Sequence, residues 1–303
     1  MSYSVVVATY NRASLLKKTL KSLARQDIPK NEYEVLVIND GSTDETEEII
    51  TAFKNTHPDL NLIYLTQENR GVAAARNLGT GHAKGHVVFF TDDDCVVPPH
   101  WISTLAKAYE RHPEVAGAGG WYQYPEEKNE KSWFVNYTMH SLYKMYGERM
   151  KTEEINNNFF LRNPSGNTSN TSYRKAILEE AGFFDERLNF VGLVDWELKK
   201  RIMDLGYPLL YIPFNVLHLK PLGFKEILRK FFNRGRGRYY LVKKNPELLP
   251  FYAPYLLKTI HKIKNDMAGE KLALKFMALA ELLATRLGWE YQKWAMHKAA
   301  SIV

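Results

Sequence analysis

Four short apolar runs, each ending in a polar cluster and followed by a helical pattern, constrain this chain more than any other feature. The runs are Tyr3–Thr9, Glu34–Asn39, Leu62–Thr66 and Val87–Thr91. Between them, Arg12–Arg25 places Leu15, Leu16, Leu20 and Leu23 on one face, Ile49, Ile50 and Phe53 form a second stripe, and Val72–Ala83 is an alanine-rich helix. Strands that are apolar throughout and alternate with helices predict an α/β fold whose mostly parallel central sheet is covered by helices on both faces. Such sheets bind ligands at the carboxyl ends of their strands. The groups at those ends here are Tyr10-Asn11-Arg12, Asp40-Gly41-Ser42, Asn69-Arg70-Gly71 and Asp92-Asp93-Asp94. Each alone is explained by helix capping; the four together predict one ligand cleft.

The aspartate triplet is the sharpest of these. Along an extended backbone Asp92 and Asp94 face one side and Asp93 the other. Two carboxylates converging on a cleft repel each other and would repel a phosphate, so this pattern points to Mn²⁺ or Mg²⁺ bridging to a substrate diphosphate. No G-x-G-x-x-G follows the first strand and no G-x-x-x-x-G-K-[ST] occurs, which removes the main support for dinucleotide and P-loop readings. Tyr10 is placed to stack on a flat ring and Asp40 to accept from a ring N–H, a pairing that suits uracil.

Beyond Pro98-Pro99 we expect a helix at His100–Arg111, a strand at Val115–Tyr122, regular structure at Arg174–Ala181 and Asp195–Leu205, and a strand at Leu209–Pro213. Residues 124–163, rich in aromatic side chains, read as a helix plus a mobile loop. From Phe224 the pattern is helical, broken at Pro250 and Pro254, and Tyr255–Leu287 is amphipathic and lysine-rich. The organisation expected is a ligand-binding half over 1–98, a second half of the same domain over 99–222, and a basic helical extension over 223–303. Charge follows that division. Residues 214–303 hold 17 Lys and Arg against 6 Asp and Glu, leaving 24 against 28 for residues 1–213. A basic extension on a slightly acidic body favours an anionic surface, and with no nucleic-acid module in the body a membrane face is the preferred one. No apolar run approaches the ~20 residues of a transmembrane helix. Ser2–Thr9 has neither the basic region nor the cleavage site of a signal peptide. Cys95, the single cysteine, excludes a disulfide framework and a cysteine-based zinc site and suits a reducing compartment. The expected location is cytoplasmic, peripheral on the inner membrane face.

The strings A-T-Y-N-R (8–12), V-I-N-D-G-S-T-D (37–44), N-R-G-V-A-A-A-R-N-L-G (69–79) and F-T-D-D-D-C-V-V-P (90–98) resemble those of the inverting family-2 glycosyltransferases. So do G-N-T-S-N-T-S-Y-R-K (166–175), A-G-F-F-D-E-R-L (181–188), V-D-W-E-L-K-K-R (194–201) and V-L-H-L-K (216–220), in the family's order. The resemblance implies the glycosyltransferase-A fold with its D-x-D metal motif. It implies a nucleotide-diphospho sugar donor, a UDP-sugar by preference, and a saccharide or lipid-linked acceptor in cell-surface glycan or polysaccharide synthesis. By position it assigns Tyr10 and Asp40 to the nucleobase, Asp92 to the ribose, Asp94 and His218 to the metal and diphosphate, and Asp195 to the catalytic base. Ala8, Arg12, Arg70 and Asp93, in the same strings, are expected at the donor as well. The family's base belongs to an E-D pair; here Val194 precedes Asp195, and the nearest Glu is Glu197.

Elementary chemistry supports those roles. In-line attack by a sugar hydroxyl needs a base on one face, and a helix N-terminus keeps the Asp195 carboxylate ionised. The leaving diphosphate needs a cation on the other face. Trp196 is placed to stack on an acceptor sugar. Arg236, between Arg234 and Arg238 in a run of eight Lys or Arg over Lys225–Lys244, is expected to close over the diphosphate or to meet phospholipid headgroups. Two other readings stand beside this one. A sugar-1-phosphate nucleotidyltransferase would want a glycine-rich basic loop after the first strand, and Asn11-Arg12-Ala13 is not one. A catalytically inactive nucleotide-sugar-binding protein draws its support from Val194 alone.

Overall fold

The computed structural model describes residues 2–125, 153–156, 167–188, 193–219, 224–249 and 272–300. Its described residues divide into a sheet-based unit and a helical unit.

The sheet unit opens with β1 (Tyr3–Thr9), α1 (Ala13–Leu23), β2 (Tyr33–Asn39), α2 (Thr46–Thr56), β3 (Leu62–Thr66), α3 (Val72–His82) and β4 (Val87–Asp92). These four strands pair in parallel in the order β3-β2-β1-β4. Their side chains are buried on both faces: Val5, Val7, Val35 and Val37 on one and Val88 and Phe90 on the other are all inaccessible. The chain steps outward from β1 to β3 and then returns past β1 to β4. Right-handed crossovers therefore place α1 and α2 on one face and α3 on the other. The reversal lies between β1 and β4, where an open α/β sheet forms its crevice.

The second half departs from the expected parallel pattern. It comprises β5 (Cys95–Val96), α4 (Trp101–Arg111), β6 (Gly117–Gln123), β7 (Glu154–Asn156), β8 (Thr171–Arg174), α5 (Lys175–Glu180), α6 (Val194–Asp204) and β9 (Leu209–His218). Only β6 and β9 pair in parallel; β8 runs antiparallel to both β4 and β6, and β5 and β7 run antiparallel to β9. The sheet is mixed because β8 enters antiparallel between β4 and β6. Strand β9 also runs past Pro213, where the sequence alone suggests it should stop. The register with β6 slips between Gly119 and Trp121, so the proline falls in an irregularity where no ladder donor is required. That extension carries His218 to the sheet's carboxyl edge.

In the helical unit, α7 (Phe224–Lys244) and α8 (Leu272–Ala300) run side by side in the same direction. Phe224 stacks on Phe276 and Tyr239 meets Trp289 edge-on. A Cβ at Gly235 would lie 1.8 Å from the Thr285 carbonyl oxygen and one at Gly288 1.8 Å from that of Phe232, so the backbones touch only because both positions lack one. Most of the expected helix and loop over 124–163, the expected breaks at Pro250 and Pro254, and residues 255–271 of the expected amphipathic stretch lie outside the described residues.

Candidate active site

The carboxyl ends of β1, β2 and β4 are locked together by polar side chains. Asn11 leaves β1 with φ of 51°, a left-handed conformation that asparagine tolerates. Its N–H donates to Ser42 Oγ at 2.9 Å and its Oδ1 accepts from the Thr43 N–H at 2.7 Å. Gly41, at φ of 79°, lets this turn approach the Asn69 amide, which a Cβ would meet at 2.9 Å. Asp40 is buried: Oδ1 accepts from Gln67 Nε2 at 2.7 Å and from the Arg70 N–H at 2.9 Å, and Oδ2 from the Gly71 N–H at 2.9 Å. Asp40 therefore fixes the 67–71 loop. Tyr10 stands 47% exposed at the mouth of this turn, a large aromatic surface facing solvent.

The aspartate triplet is not one extended run. Strand β4 ends at Asp92, and Asp93 and Asp94 form the turn into β5. Arg12 Nη1 bridges them, 3.0 Å from Asp93 Oδ1 and 2.9 Å from Asp94 Oδ2. Asp93 lies within the protein on that guanidinium; burial pushes its carboxyl up to about 6 against the pull of Arg12. Asp92, which faces Ala8 across the β1–β4 ladder, accepts from Arg76 Nη2 at 2.9 Å. Two arginines thus hold three acids whose mutual repulsion would otherwise open the turn.

Asp94 has its other oxygen toward β9. Oδ1 is 3.5 Å from His218 Nε2 and 4.0 Å from Cys95 Sγ. Cys95 and His218 are direct partners in the β5–β9 ladder, and the His218 ring sits between Tyr122 and Tyr124, 5.3 Å from each. One ligating atom from each of Asp92, Asp94, Cys95 and His218 lies within 4.8 Å of the others. Two carboxylates and an imidazole at that spacing fit a divalent cation.

Other sequence-selected residues are placed differently. Arg70 Nη2 donates to Glu186 Oε2 at 2.8 Å, and Asn77 Nδ2 donates to Glu186 Oε1 at 3.0 Å. Asp195 lies in the first turn of α6, half-buried, its Oδ1 accepting from the Trp196 N–H at 3.0 Å. Glu197 cannot replace the missing family glutamate: it is 1% exposed and gripped by Arg201, whose Nη2 is 2.7 Å from Oε2. Arg201 Nη2 also donates to the Phe183 carbonyl at 2.6 Å. One turn beyond Asp195, Lys199 is fully buried, and desolvation lowers its ammonium to about 8 although Asp195 pulls the other way. Arg236 belongs to the helical unit, where it donates to Gln292 Oε1 at 3.0 Å and lies over the Tyr291 ring.

Sequence reasoning missed Arg76 and Cys95. Both stand inside strings that were singled out, but neither has a periodicity that marks it, since their partners are strand-end groups supplied by other elements.

Residues 4–182 match the family model Glycosyl transferase family 2. The chain belongs to glycosyltransferase family 2. It is 28% identical over 240 residues to glycosyltransferase AglE of Haloferax volcanii, 78% of this chain and 72% of that one. It is 30% identical over 202 residues to the uncharacterized glycosyltransferase YwdF of Bacillus subtilis, 66% of this chain and 68% of that one. Against the poly(ribitol-phosphate) beta-N-acetylglucosaminyltransferase TarS of Staphylococcus aureus, 35% identity extends over 112 residues, 37% of this chain and 19% of TarS. In fold, the enzyme resembles the mannosyltransferase PcManGT of Pyrobaculum calidifontis. The TM-score is 0.60 at 22% identity, over 99% of this chain and 75% of that one. It also resembles TarS 1-349, with a TM-score of 0.56 at 19% identity, over 97% and 92% of the two chains. The family and the glycosyltransferase-A-like fold agree with the sequence reading, and the nucleotidyltransferase alternative falls. No helix among the described residues is long and apolar enough to cross a membrane.

Proposed function

We propose that this glycosyltransferase moves a sugar, with inversion, from a UDP-sugar to a saccharide or lipid-linked acceptor in glycan or polysaccharide synthesis, using Mn²⁺ or Mg²⁺. The observation that carries this reading is the convergence of Asp92, Asp94 and His218 at the carboxyl edge of the sheet, beside the exposed ring of Tyr10. PcManGT was solved with GDP-Man and Mn²⁺, TarS 1-349 with UDP-GlcNAc, and GalNAc-T7 with UDP, GalNAc and Mn²⁺.

In this reading Asp94 and His218 would hold the cation, with the Asp92 oxygen that lies among them as a further donor, and Asp92 would also meet the ribose. The ion supplies positive charge to the departing diphosphate. Tyr10 stacks on the base, and Asp40 Oδ2, which accepts the Gly71 N–H, has a second lone pair for a ring N–H. Ala8, facing Asp92 across the ladder, leaves room for the ribose. Arg12 acts through the turn it braces, and Asp93 through Arg12; Arg70 borders the donor on the loop that Asp40 fixes. Asp195, at a helix N-terminus, takes the proton of the acceptor hydroxyl as the hydroxyl oxygen attacks the anomeric carbon, with Trp196 stacked on the acceptor.

The helical unit provides a peripheral membrane contact on the cytoplasmic face, with Arg236 on its basic side. Phe276, Leu279, Leu283, Leu287 and Trp294 are exposed along α8, and α7 is strongly basic, the combination that suits an anionic lipid interface. Phe276, Leu279, Leu283 and Leu287 border an apolar groove of about 520 Å³ shared with Phe224, Leu228 and Phe232.

Replacement Asp195→Asn tests the catalytic role. Donor affinity should stay within a few-fold while transfer falls by roughly 10²–10⁴; equal turnover in the two proteins would reject Asp195 as the base.

A further inference from the structure

We propose that the Cys95 thiol is itself a donor of the divalent-cation site, so that the site prefers thiophilic ions such as Co²⁺, Zn²⁺ and Cd²⁺ over Mg²⁺. The inference rests on the metal-site reading above, adds a fourth ligand to it, and corrects the expectation that a single cysteine excludes a zinc site with a thiol donor, since one thiol can join donors of other kinds. Cys95 and His218 are opposite each other in an antiparallel ladder, and residues so paired project their side chains to the same face, with Cβ atoms about 5 Å apart. Asp94 Oδ1 stands between them, 4.0 Å from Sγ and 3.5 Å from Nε2. Arg12 secures that orientation by engaging the other oxygen, Oδ2, at 2.9 Å. Asp92 completes a set of four atoms no more than 4.8 Å apart.

Ligands of an ion bound at ~2.0–2.3 Å lie roughly 3.3–4.4 Å from one another. The four atoms therefore need only sub-ångström movement to share one ion. The donor set, two carboxylates with an imidazole and a thiol, is not the all-oxygen set that Mg²⁺ demands; nitrogen and sulfur favour later, softer ions. Coordination replaces the S–H bond by a sulfur–metal bond and releases the proton to the buffer, with no change of oxidation state. Cys95 is fully buried, and packing alone would be served equally by any small side chain.

Titration of Co²⁺ into the full-length protein decides the matter. The wild type should show both the visible d–d bands of bound cobalt and a near-ultraviolet thiolate-to-cobalt charge-transfer band. Calorimetry in two buffers should register one more proton released than for Cys95→Ser. That variant should keep the visible bands and lose the near-ultraviolet one; if it fails to fold, the wild-type spectrum is sufficient. Bound cobalt with d–d bands alone would overturn the thiol donor and leave the metal site standing. No cobalt spectrum of either kind would overturn both.

Discussion

The two units handle polarity in opposite ways. The sheet unit draws charge inward: Asp93, Asp94, Glu197 and Lys199 are all nearly inaccessible, and Arg12 and Arg201 each tie acids or carbonyls into a fixed arrangement. In the helical unit apolar groups point outward, with Leu287 64% exposed, Trp294 57% and Phe276 56%, while a glycine contact holds the two helices together. Buried charge is expensive and persists where it orients chemistry. Exposed aromatic and leucine side chains along one helix are also costly, and persist where something covers them. The contrast suggests that the first unit holds a reaction centre and the second a docking surface.

Substitutions of opposite sense in the two units sharpen that contrast. The larger effect is expected from Lys199→Met, which replaces a buried ammonium by an apolar chain. The unfolded chain keeps its lysine proton up to about pH 10.4, whereas the folded chain releases it near 8. Between those values the unfolded state binds more protons, so wild-type stability rises with pH. Below pH 8 the wild type carries a penalty of up to about 3 kcal/mol that the methionine variant lacks. Urea denaturation at pH 7 and pH 10 should show the variant's advantage shrinking across that window; a constant difference would mean Lys199 stays charged. A smaller effect on stability comes from Leu283→Glu in the helical unit, within about 0.5 kcal/mol because the side chain is 52% exposed. Its consequence should appear in sedimentation with anionic vesicles, which falls if that face meets lipid. Sedimentation equal to wild type would remove the docking reading.

How far the sequence discloses this arrangement depends on the range of the interaction. Strand ends are local: an apolar run broken by Asp40 or by Asp92 marks the end of a strand, so the positions of those groups were legible. The ion pair of Arg12 with Asp93 and Asp94 joins residues 81 and 82 positions apart, and no periodicity announces it. Alternation along an extended backbone describes the triplet only as far as Asp92, since the next two residues turn onto Arg12. His218 was marked by its string alone, because Pro213 argued that β9 ends before it. Its pairing with Cys95 depends on a two-residue strand too short to be read from pattern. The antiparallel entry of β8 was hidden for a similar reason: four residues, three of them Thr, Ser and Tyr, give no sign of direction.

The central claim is that Asp92 and Asp94 grip a cation and, through it, a nucleoside diphosphate. Calorimetric titration of uridine diphosphate into wild type and Asp94→Ala, each with Mn²⁺ and with chelator, tests it most directly. The account predicts tight binding for wild type with Mn²⁺ and a large loss on chelation or substitution, with no further loss when the two are combined. Binding by the variant that equals wild type in Mn²⁺ would contradict it.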